Sequence, residues 1–248
     1  MAIQYEEEFE DMKQREIKLS NSVNSSHNIY LYCAVKIEMD VYLFFHFYNG
    51  GMLSGLISEK EDMPEKLVAQ IVHQILLGLL ELHNNNFVHR DIKPDNILMH
   101  FPCMSPDKTL QGRFLSSWDY RVYNWFTVVI ADLGMGREQG LRMTEGAGTP
   151  LYRAPECDNS GYDFKADVLS IGIIWYELLF GEPIFTQNRA RNLQGNLFNL
   201  IDLILMEIGL RRLWKGTIEY SRERLISFEV MQFLQYSLQK NPDDRLAV

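Results

Sequence analysis

Residues 87–96, FVHRDIKPDN, concentrate two aspartates, a lysine, an arginine, a histidine and an asparagine in one short stretch. Side chains of these types can take up a proton, balance the charge of an anion and offer oxygen atoms to a hard cation. An apolar segment with helical spacing, EKLVAQIVHQILLGLLELH, precedes this stretch and stops at the asparagines 84–86. The pattern therefore predicts a polar catalytic loop that follows a strong helix.

Two later stretches supply motifs that belong with this loop. Residues 89–96 fit H-R-D-x-x-x-x-N, residues 132–134 fit D-F-G with leucine in the middle, and residues 154–156 fit A-P-E. They occur in this order, and the last lies within GTPLYRAPE. Together they resemble the eukaryotic protein kinase family, and the likeness runs from about residue 14 to the end of the sequence.

The resemblance implies transfer of the γ-phosphate of ATP to a protein hydroxyl, with ATP and Mg²⁺ as cofactors. It implies that Asp91 accepts the hydroxyl proton and that Lys93 places a cation at the transferring phosphoryl group. Asn96 and Asp132 offer an amide oxygen and a carboxylate to Mg²⁺. A metal hydrolase built on Asp91 and Asp132 is the alternative chemistry, but it leaves GTPLYRAPE unexplained.

Neighbouring residues carry the implied specificity and regulation. By resemblance, Lys93 and Thr149 mark a serine/threonine kinase, with Thr149 hydrogen-bonded near Asp91. Arg90 indicates control by phosphorylation, because an arginine beside the catalytic aspartate can pair with a phosphate. Thr144 is the candidate phosphorylation site, and the alternative that it is only a polar loop residue stays open.

Other motif residues have structural roles in the resemblance. Asp167 is expected to accept backbone N–H groups of the catalytic loop. Glu156 and Arg245 are expected to form a buried ion pair. His89 and Leu133 are expected to pack in the internal spine of the family rather than to carry protons.

The nucleotide-binding side departs from the resemblance. REIKL at 15–19 is similar to the family's regulatory helix, with Glu16 as the residue that pairs with the ATP-binding lysine. The residues before Glu16 contain no glycine, so we expect the Gly-rich loop and the first three strands to be absent. Lys36 in CAVKI mimics the ATP-binding lysine, but no Gly-rich loop precedes it and a strand follows it. The resemblance assigns the nucleotide contacts to Glu16, to Phe45 at the back of the pocket, to the hinge residues His46, Phe47 and Tyr48, and to Leu98.

The elements that must position these groups follow from aromatic and apolar patterning. Strands are predicted at 29–35, 41–48, 96–99 and 126–134, and helices at 6–19, 64–83, 165–181, 196–210 and 227–239. With these elements, the resemblance implies an α+β fold of the protein kinase type, with an incomplete small β-rich N-lobe and a larger, mostly helical C-lobe.

The predicted organisation is one protein kinase domain, 1–248, with 1–51 as N-lobe remnant and hinge and 52–248 as C-lobe. An aromatic-rich insertion at 100–125 either packs on the C-lobe or forms a docking patch for a protein partner. The apolar faces of 29–48 could also bind a partner, because missing strands would leave them uncovered. The last helix is expected to be cut short after Arg245.

Composition limits the remaining function classes. The net charge of −9 and pI near 5.2 argue against a nucleic-acid partner. The scattered Cys33, Cys103 and Cys157 argue against a disulfide framework or a zinc site. No apolar run reaches the roughly 18 residues of a membrane span. These features predict a cytoplasmic or nuclear protein without a membrane span.

Two functions therefore compete. The first is a protein serine/threonine kinase, favoured by Asp91, Lys93, Asn96 and Asp132. The second is a catalytically impaired pseudokinase-like scaffold or binding module, favoured by the missing Gly-rich loop and lysine. YNGGML and KADVLSIG are similar to autophagy-initiating kinases, whereas 186–226 fits them poorly, so the subfamily stays open.

Overall fold

A computed structural model describes residues 14, 16–23, 25–38, 40–59, 63–103, 125–138, 148–158, 163–181, 184, 227–239 and 241–247. Within these ranges, helices and small antiparallel sheets build a smaller N-terminal part and a larger, mostly helical part. The predicted α+β fold class is confirmed.

The N-terminal part consists of a helix and a two-stranded hairpin. Helix α1 covers residues 16–22, and strands β1 (Leu31–Ile37) and β2 (Asp40–Phe45) pair antiparallel. Glu38 adopts a positive φ of 54° at the turn between them. Among the described residues β2 pairs only with β1, and in β1 only Leu31 is buried. The hairpin therefore presents most of its side chains to solvent.

A short linker docks this part on the larger one. The Asn28 side chain donates a hydrogen bond of 2.9 Å to the carbonyl of Gly78, and the Ile29 amide donates one of 2.8 Å to the carbonyl of Ile130. A Cβ at Gly78 would lie 2.4 Å from the carbonyl oxygen of His27. Gly78 is therefore needed because the linker backbone crosses the helix at contact distance.

The larger part contains the remaining elements. In chain order they are β3 (Gly51–Met52), α2 (Leu53–Glu59), α3 (Glu65–Asn84), β4 (Phe87–Val88), β5 (Ile97–His100), β6 (Thr127–Ile130), β7 (Arg137–Glu138), α4 (Phe164–Phe180) and α5 (Phe228–Ser237). Strand β5 pairs with β6, and β4 pairs with β7. Because β4 leads to β5 and β6 leads to β7, the two connecting loops lie side by side. These loops carry residues 89–96 and 131–136.

Helix α4 forms the centre of the core. It is apolar around almost its whole circumference, and every residue from Ala166 to Leu179 is buried. Asp163 caps its first turn by accepting the amide of Lys165, and Gly181 ends it in the left-handed conformation at φ 71°. Helices α3 and α5 both pack against α4. The loops above therefore rest on a fully buried support.

The sequence predicted most of these elements, with shifts at their ends. The first strand begins and ends two residues later than predicted, and the second stops at Phe45, before the hinge. The short helix α2 was not predicted, and the predicted helix 196–210 lies outside the described residues. No helix in the described ranges is long and apolar enough to cross a bilayer.

Candidate active site

The carboxylate of Asp91 is the centre of the candidate site. Its Oδ1 accepts the amide of Thr149 at 2.9 Å and the hydroxyl of Thr149 at 2.8 Å. Its Oδ2 accepts Lys93 Nζ at 2.7 Å and Asn96 Nδ2 at 3.0 Å. Each oxygen therefore has two donors, which fixes the orientation of the carboxylate.

Lys93 and Thr149 complete a closed network with this carboxylate. Lys93 Nζ also donates to Thr149 Oγ1 at 2.9 Å, so the Thr149 hydroxyl accepts from the lysine and donates to Asp91. Burial alone would raise the pKa of Asp91, but the hydrogen bonds from Lys93 and Thr149 and the charge of Lys93 hold it below its ordinary value. The group is therefore an ionised acceptor at neutral pH.

Asp167 on α4 fixes the backbone at the start of the loop 89–96. This carboxylate accepts the amides of His89 and Arg90, both at 2.9 Å, and His83 Nε2 lies 3.1 Å from its Oδ2. Burial acts to raise the pKa of Asp167, yet the hydrogen bond and charge of His83, with the His89 charge and the Arg90 amide, keep it below its usual range. His89 also contacts the second loop, because its Nε2 lies 3.0 Å from the carbonyl of Ala131.

Two site residues adopt backbone conformations that side chains disfavour. Arg90 has a φ of 74° and Asp132 a φ of 59°. Gly148 has a φ of 96°, and a Cβ there would lie 2.5 Å from the carbonyl oxygen of Arg90. Strained residues of this kind cluster at functional sites because surrounding contacts hold them there. The segment before Thr149 and the catalytic loop therefore meet at backbone contact distance.

Asn96 and Asp132 carry oxygen atoms of the kind that bind a hard cation. Asn96 uses its amide nitrogen for the carbonyl and the carboxylate of Asp91, so its Oδ1 is left as the acceptor of the side chain. Asp132 lies two residues after the end of β6 and is exposed to solvent. An amide oxygen and a carboxylate on adjacent loops are ligands that Mg²⁺ accepts while it keeps several waters. These residues fit Mg²⁺.

Glu16 on α1 lies close enough to Asp132 to be affected by its charge. Burial, followed by the negative charge of Asp132, raises the pKa of Glu16. Lys36 is exposed on β1 opposite Val41, and it is not among the charges that shift Glu16. Among the described residues, Glu16 therefore faces a carboxylate rather than a lysine.

The other predicted nucleotide contacts lie around the connection between β2 and β3. Phe45 ends β2 opposite Leu31, and Leu98 lies in β5 between Met52 and Val129. The segment His46, Phe47 and Tyr48 joins the two parts of the molecule.

An ion pair and a hydrogen bond to a buried glutamate connect the segment that follows Thr149 to the rest of the larger part. Arg245 Nη2 donates to Glu156 Oε2 at 2.8 Å, and Arg245 Nη1 also contacts Glu156. The Tyr152 hydroxyl donates to Glu177 Oε2 at 2.7 Å, a contact that sequence reasoning did not find. Burial raises the pKa of both Tyr152 and Glu177.

Some predicted residues cannot be placed. Thr144 lies outside the described residues, as do residues 104–124 of the insertion. At its start Phe101 is buried with an exposed fraction of 1%, whereas Trp125 near its end is exposed by 78%.

Comparison with known sequences decides the family. A sequence profile described as "Protein kinase domain" matches residues 2–248. The chain belongs to the protein kinase family. The resemblance read from the motifs is thereby confirmed, and the described fold is consistent with that of a protein kinase.

Curated relatives are about 30% identical to this kinase chain over the aligned residues. They include the serine/threonine-protein kinase DCLK3 of Homo sapiens, 30% identical over 195 residues, which are 78% of this chain and 27% of the relative. The serine/threonine-protein kinase ATG1a of Arabidopsis thaliana is 29% identical over 187 residues, 74% of this chain and 26% of the relative. The serine/threonine-protein kinase ULK1 of Homo sapiens is 31% identical over 183 residues, 73% of this chain and 16% of the relative. The matched part thus spans roughly a quarter or less of each relative.

The last two matches are consistent with the predicted likeness to autophagy-initiating kinases. The match to DCLK3 has a similar identity, so the subfamily of this kinase stays open. Use of ATP and Mg²⁺ is general in the protein kinase family.

Proposed function

We propose that this chain is a protein serine/threonine kinase domain that transfers the γ-phosphate of ATP to a protein hydroxyl. One observation carries the proposal: Asp91, Lys93, Asn96 and Thr149 form a single hydrogen-bonded network around the Asp91 carboxylate. Phosphoryl transfer depends mainly on positioning and on balancing charge, and this network supplies an oriented acceptor and a cation at one point.

In this proposal Asp91 orients the acceptor hydroxyl. As the hydroxyl oxygen bonds to the γ-phosphorus and the bond to the ADP oxygen breaks, the hydroxyl proton passes to Asp91 Oδ1 or Oδ2. Lys93 stabilises the negative charge of the transferring group, because its ammonium is held 2.7 Å from Asp91 Oδ2. Thr149 positions both groups through its hydroxyl.

Asn96 and Asp132 would hold Mg²⁺, which when bound neutralises phosphate charge. The buried Asp167 keeps the loop backbone in place through the amides of His89 and Arg90. We further propose residues 1–51 as N-lobe and hinge and 52–248 as C-lobe, with the nucleotide between them against Phe45, His46–Tyr48 and Leu98. Glu16 would line the same cleft beside Asp132.

The test is phosphate transfer from radiolabelled ATP to peptides that differ only in a serine, threonine or tyrosine acceptor. The 248-residue chain is compared with Asp91→Asn and with Asp40→Asn, which removes an exposed carboxylate on β2. We expect transfer to serine and threonine peptides, a loss of about 10²-fold or more in Asp91→Asn, and no change in Asp40→Asn.

Two results would contradict the proposal. Transfer at background in the wild-type chain would favour the scaffold reading, in which the helical part serves only binding. Equal transfer by the wild-type chain and Asp91→Asn would show that the reaction does not use this network.

A further inference from the structure

Three aromatic rings pack edge to face where the two parts of the molecule join. The ring centroids are 4.9 Å apart for His46 and Tyr48, 5.2 Å for His46 and His100, and 5.8 Å for Tyr48 and His100. His46 and Tyr48 lie between β2 and β3, whereas His100 ends β5. The rings therefore tie the hinge to the sheet of the larger part.

Strand β1 and the residue before it close the cluster from the other side. The Tyr32 hydroxyl lies 2.8 Å from His46 Nδ1, and the His46 amide donates to the carbonyl of Tyr30 at 2.9 Å. The Tyr30 amide in turn donates to the Tyr48 hydroxyl at 3.2 Å. These contacts connect the hairpin to β5 through His46.

The surroundings of the His100 imidazole disfavour a proton on that ring. The titratable side chains in ring or hydrogen-bond contact with His46 and His100 are Tyr32 and Tyr48, with Tyr30 behind Tyr32. No carboxylate of the described residues is in ring or hydrogen-bond contact with them. Two imidazolium charges about 5 Å apart in a partly buried cluster repel each other.

Of the two histidines, His100 has the ring nitrogen that is buried without a hydrogen-bond partner in the described structure. This nitrogen is Nδ1. Burial, followed by the charge of His46, lowers the pKa of His100. A proton on His100 is therefore disfavoured while the cluster is closed.

We propose that His100, packed against His46, is a proton-sensitive latch that is closed at neutral pH, opens as the pH falls, and thereby weakens binding of an adenine nucleoside at the hinge. The sign follows from linkage. The pKa of His100 is lower in the closed state than in the open state, where it has its ordinary value. Above that ordinary value His100 is neutral in both states and the closed state is stable. As the pH falls from the ordinary value toward the lowered one, the open state takes up a proton first, and the closed state loses stability relative to it. The effect on binding rests on the proposed nucleotide site, whereas the latch itself does not.

The first experiment follows the His100 ring protons by NMR as the pH is lowered, without nucleotide and with EDTA present to exclude a bridging metal. We expect His100 in the wild-type chain to titrate below the ordinary range of histidine, and the His46→Gln variant to titrate at higher pH, because the neighbouring charge is gone. An ordinary midpoint that is the same in both proteins would overturn the latch.

The second experiment measures adenosine affinity by calorimetry, because adenosine has no phosphate that titrates. Between about pH 7.5 and about pH 6.0 we expect wild-type affinity to fall about two- to fourfold, and that of His100→Gln to stay nearly constant. His73→Gln, on the exposed face of α3, is the matched control and should follow the wild-type chain. Equal pH dependence in the wild-type chain and His100→Gln would overturn the coupling.

The two experiments separate the two proposals. If adenosine binds at neither pH, the nucleotide site is contradicted, and the His100 titration still decides whether the latch exists. Thermal unfolding of each variant at neutral pH shows that the comparison is made between folded proteins.

Discussion

At the level of single residues, four hydrogen bonds hold the Asp91 carboxylate in one orientation. Its oxygens accept two donors each from Lys93, Asn96 and Thr149. An acceptor hydroxyl must therefore displace or share one of these donors. The proton of the Thr149 hydroxyl can turn away most easily, because the hydroxyl oxygen still accepts from Lys93 and the Thr149 amide still donates to Asp91.

This arrangement gives a prediction for Thr149. Thr149→Val removes the hydroxyl that joins Lys93 to Asp91, and a hydrogen bond to a charged group contributes ~1.5–3 kcal/mol. We expect kcat for serine peptides to fall about 10- to 100-fold, with Thr149→Ser close to wild type. Steady-state kinetics measures the ratio, and an unchanged unfolding midpoint controls for folding. A kcat for Thr149→Val equal to that of Thr149→Ser would refute the role of the hydroxyl.

Sequence patterns predicted the residues of the Asp91 network but not all of the side chains that support them. Asp91, Lys93 and Asn96 fall within one motif, so their proximity is encoded locally. His83 lies 84 residues from Asp167, and Tyr152 lies 25 residues from Glu177. These contacts could not be predicted because a side chain's partner across the core depends on how the helices pack, which no local spacing records.

At the scale of elements, the fit of α4 against α5 leaves no room at Gly172. A Cβ there would lie 2.4 Å from Ser237 Oγ and 3.0 Å from Leu238 Cδ2. Both neighbours belong to the end of α5, so the small residue sets the approach of the two helices. The sequence predicted both helices by their apolar spacing, but it gave no sign of which residues cross.

We expect Gly172→Ala to lower the free energy of unfolding by about 1–3 kcal/mol through overpacking. Adding Ser237→Gly should recover part of that loss, because the two side chains compete for the same space. Urea unfolding of the four proteins of this cycle measures the coupling. Simple additivity of the two substitutions would contradict the proposed crossing.

Short elements were the hardest to predict. Helix α2 has seven residues and follows directly on the short strand β3, so its pattern is too brief to separate from a loop. The strands of the hairpin were predicted from their aromatic residues, but their ends shifted because the hinge residues are also aromatic.

At the scale of the whole molecule, the two parts differ in how they are stabilised. The larger part has a continuous buried core around α3 and α4. The hairpin exposes about half of each of several large side chains, among them Tyr32, Ile37, Tyr42 and Phe44. A two-stranded hairpin is marginally stable alone, so its contacts with the linker and with the rings of His46, Tyr48 and His100 are needed to hold it in place.

The cellular compartment of the protein stays a prediction.

In the proposed mechanism, the loop 89–96 and Asp132 act together on Mg²⁺ and ATP in this chain. The most direct measurement is ATP binding with and without Mg²⁺, together with autophosphorylation, for the wild-type chain and Asp132→Asn. We predict Mg²⁺-dependent binding and phosphate incorporation in the wild-type chain, and loss of both in Asp132→Asn, because the carboxylate that fits the cation is gone. Absence of Mg²⁺-dependent ATP binding in both proteins would contradict the account.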